Sequence, residues 1–160
     1  MTDPSTALQS FQQELIRGGI QLRPGALDKN LYLYVDNPKG ETRFTYVKLK
    51  GRRTVTAFVE FATCEPIEGK PCFAIGYAIP EVYRKQGRAK EAVSAAISEM
   101  RHGFGRIGMV FYVEAIVGAD NKASQHIAEQ LISDKPEAIT DHISGLPAFR
   151  YLLKIEYSNG

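Results

Sequence analysis

No stretch of about 18 consecutive apolar residues occurs in this 160-residue chain, so no membrane-spanning helix is expected. Its first residues, MTDPSTALQSFQQELIRGG, hold neither a basic leader nor an apolar segment. That argues against a secretory signal and for a cytoplasmic location. Cysteine is scarce: Cys64 and Cys72 stand eight positions apart across a loop containing proline and glycine. They can face each other in a hairpin, but without an export signal free thiols are expected. The three histidines (His102, His126, His142) are scattered, so the clustered ligands of a metal centre are missing and no metal is expected. A net charge of +2 is too small for a broad polyanion-binding surface, which excludes a typical nucleic-acid module. Repeats, low-complexity tracts and interdomain linkers are absent too, leaving a single domain over residues 1–160.

What is present has the pattern of a soluble α+β domain. Asp3 and Pro4 look like the cap and first residue of a helix, with Leu8, Phe11, Leu15 and Ile16 at helical spacing and Gly18-Gly19 closing the run. GIQLRPG can supply a short strand before Pro24. The runs LYLYVD, RFTYVKL, TVTAFVEFATC and CFAIGYAI follow, separated by turn-forming residues, in the rhythm of a mostly antiparallel sheet. Beyond Gly87 the period changes: Ala89, Ala92, Val93, Ala96, Ile97 and Met100 form one face of a helix ending near His102-Gly103. MVFYVEAIV reads as a buried strand, Asn121 opens a second helix with Ile127, Ala128 and Leu131 inward, and EAITDHI with AFRYLLKIEY makes a closing hairpin.

The join PEVYRKQGRAKEAV, residues 80–93, carries the chemistry most directly. A strand ends at Pro80, and a helix begins after Gly87. The first backbone N–H groups of a helix lack internal partners, and its dipole places about half a positive charge there. Gly87 presents no side chain, Ala89 only a methyl, and Arg84, Lys85 and Arg88 crowd the same point. Such a turn can seat a diphosphate on backbone hydrogen bonds, with the cations assisting. The alternative is a set of solvated charges on an ordinary turn.

In its residues this segment resembles the acetyl-CoA-binding motif of the GCN5-related N-acetyltransferases (GNAT), Arg/Gln-x-x-Gly-x-Gly/Ala, at Arg84, Gly87 and Ala89. Downstream, VEAIVGADNKASQHIAEQL is similar to the family's next strand and helix, in the Asn-x-x-Ser form of its ribosomal-protein N-terminal acetyltransferase branch. The resemblance implies a mixed, mostly antiparallel central sheet with helices on both faces. It also implies acetyl-CoA as co-substrate. Backbone N–H groups from Gln86 through Gly87 and Arg88 to Ala89 would cradle the pyrophosphate. The strand ending at Ile79 would splay from the strand near Val117, with Ile79 N–H or its neighbour's donating to the thioester carbonyl and Asn121 reaching the pantetheine amides.

The implied reaction moves an acetyl group to a primary amine of a protein N-terminus, a lysine or a small molecule, by direct attack in a ternary complex. It needs a base, an oxyanion stabiliser and a leaving thiolate. A lysine amine starts at a pKa of about 10.4 and an α-amine at about 8, so the second asks less of its base. Glu114 matches the family's Glu-Ala, seven residues before Asn121, and is the favoured base. Glu60 is the second candidate, with its direction between Val59 and Phe61 open. Ser124 can orient or protonate the sulfur, or only cap its helix. A family tyrosine seven residues after the asparagine is Ala128 here, Gly-Phe is replaced by Ile132-Ser133, and the helix pair that frames the acceptor is hard to find in ALDKNLYLYVDNPKG. Tyr32, Tyr34, Phe44 and Tyr46 are candidates to line the acceptor pocket or to fill the core. These departures also motivate a non-catalytic acyl-CoA-binding module as the alternative. Exposed edges in the closing hairpin would allow a homodimer by sheet extension.

Overall fold

The computed structural model describes residues 3–156. Helix α1 (Pro4–Arg17) starts where the Asp3 carboxylate accepts a hydrogen bond from Thr6 N at 3.1 Å. It stops where Gly18 turns left-handed at φ 84°. After the two-residue β1 (Arg23–Pro24), strands β2 (Leu31–Asp36), β3 (Arg43–Lys50), β4 (Thr54–Ile67) and β5 (Lys70–Ala78) form a meander. The β4–β5 hairpin turns through Glu68 and Gly69, both at positive φ (52° and 76°), as a two-residue turn matched to strand twist requires. A 3₁₀ turn over Glu81–Tyr83 leads into α2 (Arg88–Gly105), then β6 (Phe111–Gly118), α3 (Lys122–Leu131), β7 (Glu137–Thr140) and β8 (Pro147–Ile155).

These strands make one eight-stranded sheet in the order β1-β2-β3-β4-β5-β6-β8-β7. Every neighbouring pair is antiparallel except β5 with β6. That pair is parallel because α2 carries the chain back over the sheet before β6 begins. The architecture is the expected α+β one, a mostly antiparallel sheet with helices on both faces.

Strand alternation divides the core in two. Tyr46, Val59, Phe61, Ile75, Val113 and Ala115 face Ala92, Val93, Ala96 and Met100 of α2, with Ala128 of α3 in the same cluster. On the opposite face Val47, Phe58 and Ala78 meet Leu8, Phe11 and Leu15 of α1. Phe44 and Tyr46 therefore belong to the α2 side, whereas Tyr32 and Tyr34 pack beside α1. Two boundaries differ from the sequence reading. Helix α2 runs on to Gly105, where Phe104 packs between Phe73 and Phe111 (ring centroids at 5.7 and 4.8 Å) and extends the apolar face past Gly103. GIQLRPG contributes only the two paired residues of β1, because Pro24 has no N–H to continue a ladder. Between β2 and β3 the chain crosses in a short turn at Pro38–Gly40, with no helix pair.

A buried carboxylate fixes the loop that brings β1 to β2. Glu99 of α2, 7% exposed, accepts from the backbone N–H groups of Ala26 (3.0 Å), Leu27 (2.6 Å) and Asp28 (2.9 Å). Gly25 lies so close that a Cβ there would fall 2.6 Å from the carboxylate. Charged acceptors of this kind contribute about 1.5–3 kcal/mol per bond, and orphaned buried donors cost a similar amount. Glu99→Ala is therefore expected to lower unfolding stability by roughly 3 kcal/mol in urea titrations, with Gly25→Ala also destabilising.

Candidate functional site

Strands β5 and β6 share three registered pairs, Cys72 with Tyr112, Phe73 with Val113 and Ala74 with Glu114. Beyond these they part. β5 stays with β4 as far as Ala78 opposite Phe58, while β6 stays with β8 as far as Gly118 opposite Ala148. Each strand follows its other neighbour, so backbone groups of β5 and β6 that turn toward one another past Ala74 have no ladder partner. The gap opens into a cavity of about 510 Å³ lined by Ala74–Tyr77 and Glu114–Gly118. Asn121 and Ser124 border it on the α3 side, and Asp3–Ser5 at the start of α1 border it on the other. The opening thus passes through the sheet and joins its two faces.

The start of α2 lies just downstream. Gly87 caps the helix in the left-handed region, φ 72°, with no side-chain capping bond. A Cβ at position 87 would meet nothing within 4 Å, so glycine is required by backbone conformation and the space before the helix is open. Glu91 N donates to Gly87 O at 3.2 Å, which leaves the N–H groups of Arg88, Ala89 and Lys90 without intrahelical acceptors. Two of the basic side chains brace this turn. Arg84 Nε donates to Ile79 O at 2.9 Å, Arg88 Nε donates to Gln86 Oε1 at 3.1 Å, and the Arg88 guanidinium sits 5.1 Å from the Tyr83 ring centre. Ile79 lies one residue past β5, outside the cavity wall. The residues present suit a diphosphate: open backbone donors, a positive helix end and no acidic group between Glu81 and Glu91, the one acidic residue in the first turn of α2.

Glu114, Asn121 and Ser124 all border the parted strands. Asn121 caps α3 by accepting from Ser124 N at 3.1 Å, and Gln125 Nε2 donates to the carbonyls of Gly118 (2.9 Å) and Ala119 (3.0 Å). These bonds hold the first turn of α3 against the end of β6. The Glu114 carboxylate accepts from Arg150 Nε at 2.6 Å, and Arg150 also lies 3.6 Å from Glu137. Tyr77, missed by the sequence reading, points toward α3 and donates its hydroxyl to Ser124 O at 3.1 Å. Burial raises its pKa above the usual phenol value. Its only sequence signal was an aromatic residue three positions before Pro80. Ala128, at the family's tyrosine position, is wholly buried.

Val59 and Phe61 point to the α2 face, and Glu60 points to the α1 face, opposite Gly76 in register and 4% exposed. Glu60 and Glu114 thus flank the small residues Ala74 and Gly76 on one face. Burial pushes the Glu60 carboxyl above the usual range; Arg43 opposes the rise and Asp36 adds to it. Cys64 and Cys72 face each other further along the same strands as thiols, and the hydrogen bond between them pushes the Cys64 thiol up. Among the described residues no group of three or more acidic, histidine or cysteine side chains could hold a metal ion.

The family model described as Acetyltransferase (GNAT) domain matches residues 21–131. A ribosomal L7/L12 α-N-protein acetyltransferase solved with coenzyme A is similar at TM-score 0.53 and 19% identity, over 72% of this chain and 64% of that one. The ribosomal-protein-S5-alanine acetyltransferase of Vibrio fischeri gives 0.54 and 13%, over 72% and 62%. A spermidine N-acetyltransferase chimera that includes the Vibrio cholerae enzyme gives 0.54 and 14%, over 70% and 69%. At these identities the likeness is one of fold, and the match spans less than two thirds of either ribosomal-protein enzyme. No curated protein sequence matches the chain.

The buried Glu60 carboxyl gives a signed pH test. Its folded pKa is raised, so the stability that its protonated form contributes is complete below the unfolded value of about 4.3 and is lost as pH rises through the folded pKa. Tyr34, Asp36, Arg43 and, on α1, Glu14 line the same cavity. Glu60→Gln should therefore melt at or above the parent at pH 7–8, and the advantage should vanish below about pH 4, as read by melting curves across pH.

Proposed function

The chain belongs to the GNAT acetyltransferase family, and from that premise we propose that it is an acetyl-CoA-dependent N-acetyltransferase acting on a primary amine in a ternary complex. The observation that carries this reading is the early end of the β5–β6 ladder at Ala74 and Glu114, followed in sequence by an uncapped helix start at Gly87. The pyrophosphate of coenzyme A would rest on the N–H groups of Gln86 to Ala89, with Lys85 and the arginines nearby. Its pantetheine arm would lie between the parted strands, with Asn121 at its amides and the Ile79 end of β5 near the thioester.

In the transfer, a neutral amine nitrogen attacks the thioester carbonyl carbon. The C–N bond forms as the carbonyl electrons move onto oxygen, where an unpaired N–H of β5 can stabilise the oxyanion. Collapse re-forms the carbonyl and breaks the C–S bond. The thiolate leaves with the sulfur electron pair and takes up a proton, and the nitrogen gives up its own through Glu114 or waters it orders. Ser124 and the Tyr77 hydroxyl stand on the α3 side, where they can orient or protonate the sulfur. The acceptor would approach from the α1 face. The short β7 at the sheet edge would permit a homodimer by sheet extension.

The Glu114–Arg150 pair favours one other reading, an acyl-CoA-binding module without transfer, because a carboxylate held at 2.6 Å by a guanidinium is already engaged. The two readings separate in an amine-library assay of free thiol release, where transfer requires thioester loss that rises with amine.

Calorimetric titration of acetyl-CoA into the purified chain should show saturable binding, and its absence would remove the proposal. Gly87→Glu should weaken that binding by at least tenfold, since it strains the left-handed backbone and sets an anion before the helix. Glu114→Gln is expected to lower kcat by about 10²-fold at saturating acetyl-CoA, in steady-state kinetics where transfer by direct attack gives intersecting rather than parallel double-reciprocal lines.

A further inference from the structure

A second cavity, of about 310 Å³, lies between α1 and the sheet. Ala7, Ser10 and Phe11 form its roof, and Tyr34, Phe58 and Glu60 its floor. The rings are locked together: Phe11 meets Tyr34 edge-on at 6.1 Å and Phe58 at 5.7 Å. The family match begins at residue 21, so the whole of α1 lies outside it. Half of this cavity is therefore built by a segment that the family model does not describe.

Glu60 is the unusual group in the wall. Its side chain is buried to all but 4%, yet no donor among the described residues hydrogen-bonds to it. Arg43, a basic side chain lining the same cavity, is committed to Asp36 through Nε to Oδ1 at 3.0 Å and a second bond from Nη2. Among the described residues no fully enclosed side-chain oxygen lacks a partner, so the Glu60 oxygens open onto the cavity rather than being sealed in its wall. An incoming ammonium group would supply the missing donors through charge-assisted hydrogen bonds. The aromatic and methyl walls would accept an aliphatic stem that carries it.

We propose that this cavity is a cation subsite, in which Glu60 binds a primary ammonium group on an aliphatic stem that belongs to the acceptor but is not the amine acetylated. The inference rests on the acetyl-transfer reading and names the class of acceptor it implies: an amine with a second positive charge a short distance away. Glu60 stands directly opposite Gly76, whose backbone lines the opening between β5 and β6. Neighbouring strands lie about 4.8 Å apart, and position 76 has no side chain to stand between them. An acceptor could thus place one amine at the parted strands and a second cation on Glu60. A free diamine and a lysine side chain near a peptide's reacting amine share this chemistry.

The test uses matched pairs that differ in one charge. Binding of 1,5-diaminopentane and of pentylamine to the purified chain is measured by calorimetry, without acetyl-CoA, and KM for each is measured by thiol release. A short peptide with lysine at its second position is compared with the norleucine peptide in the same way. In at least one pair the cationic member should be preferred by about tenfold. The pair that shows it identifies the source of the charge. Glu60→Gln should bring the preference near unity, through KM more than kcat, while melting at or above the parent. Ser10→Lys, at an exposed position of α1 on the cavity wall, should do the same by tethering an ammonium beside Glu60. No preference in either pair, or a preference that survives both substitutions, would overturn the subsite. Failure of acetyl-CoA to bind would remove the transfer reading alone, because the calorimetric pairs read the subsite without it.

Discussion

The parallel contact between β5 and β6 lasts for three residue pairs, and the point where it ends governs the rest of the site. Before that point the sheet is continuous and its backbone groups satisfy one another. After it, two strands that are still firmly held on their outer sides present unpaired N–H and C=O groups to a shared gap. Such groups need a partner, and an extended amide-bearing ligand is the partner whose geometry matches a missing strand. Had β5 and β6 stayed paired to Ala78 and Gly118, neither Asn121 nor Ser124 would communicate with the face that carries Glu60 and Glu114.

The helices take their places from this same division. Helix α2 returns the chain to make the parallel contact, and its apolar face covers the continuous half of the sheet. Its start, without a side-chain cap at Gly87, follows the end of β5 in the chain, so one connection supplies both the β5 wall of the gap and the open helix start. Helix α3 is bound to the end of β6 through Gln125 and closes one side of the gap. Helix α1 arrives from the opposite face, where its Leu8, Phe11 and Leu15 cover Phe58 and Ala78. It occupies the face that would otherwise lie open, since β2 and β3 are joined by a turn too short to supply a covering helix.

Much of this was legible in the residues because local chemistry determined it. Asp3, Pro4 and Gly18 marked α1, and the change of period after Gly87 marked α2. The GNAT family was legible from Arg84, Gly87, Ala89 and the Asn121-x-x-Ser124 segment, and the family match over residues 21–131 agrees. What escaped depends on register between distant segments. Glu60 could not be assigned a face until β4 was paired with β5, because a shift of one residue reverses every side chain. Arg150 meets Glu114 across 36 positions of sequence, and Tyr77 meets Ser124 across 47. Glu99 tying down the loop after β1 was equally invisible, since a glutamate on a helix ordinarily faces solvent. The basic cluster was read as support for an anion, yet Arg84 and Arg88 spend their Nε hydrogen bonds on the turn itself.

On the proposed reading, the broken ladder and the open helix start form one continuous seat for acetyl-CoA. A crystal structure of the chain with acetyl-CoA or its hydrolysis-resistant thioether tests this most directly. The pyrophosphate is expected on the backbone N–H groups that follow Gln86 and the pantetheine between β5 and β6 past Ala74, with its acyl end opening toward the face of Glu60 and Glu114. A ligand bound elsewhere, or strands that close their gap and exclude it, would rule that seat out.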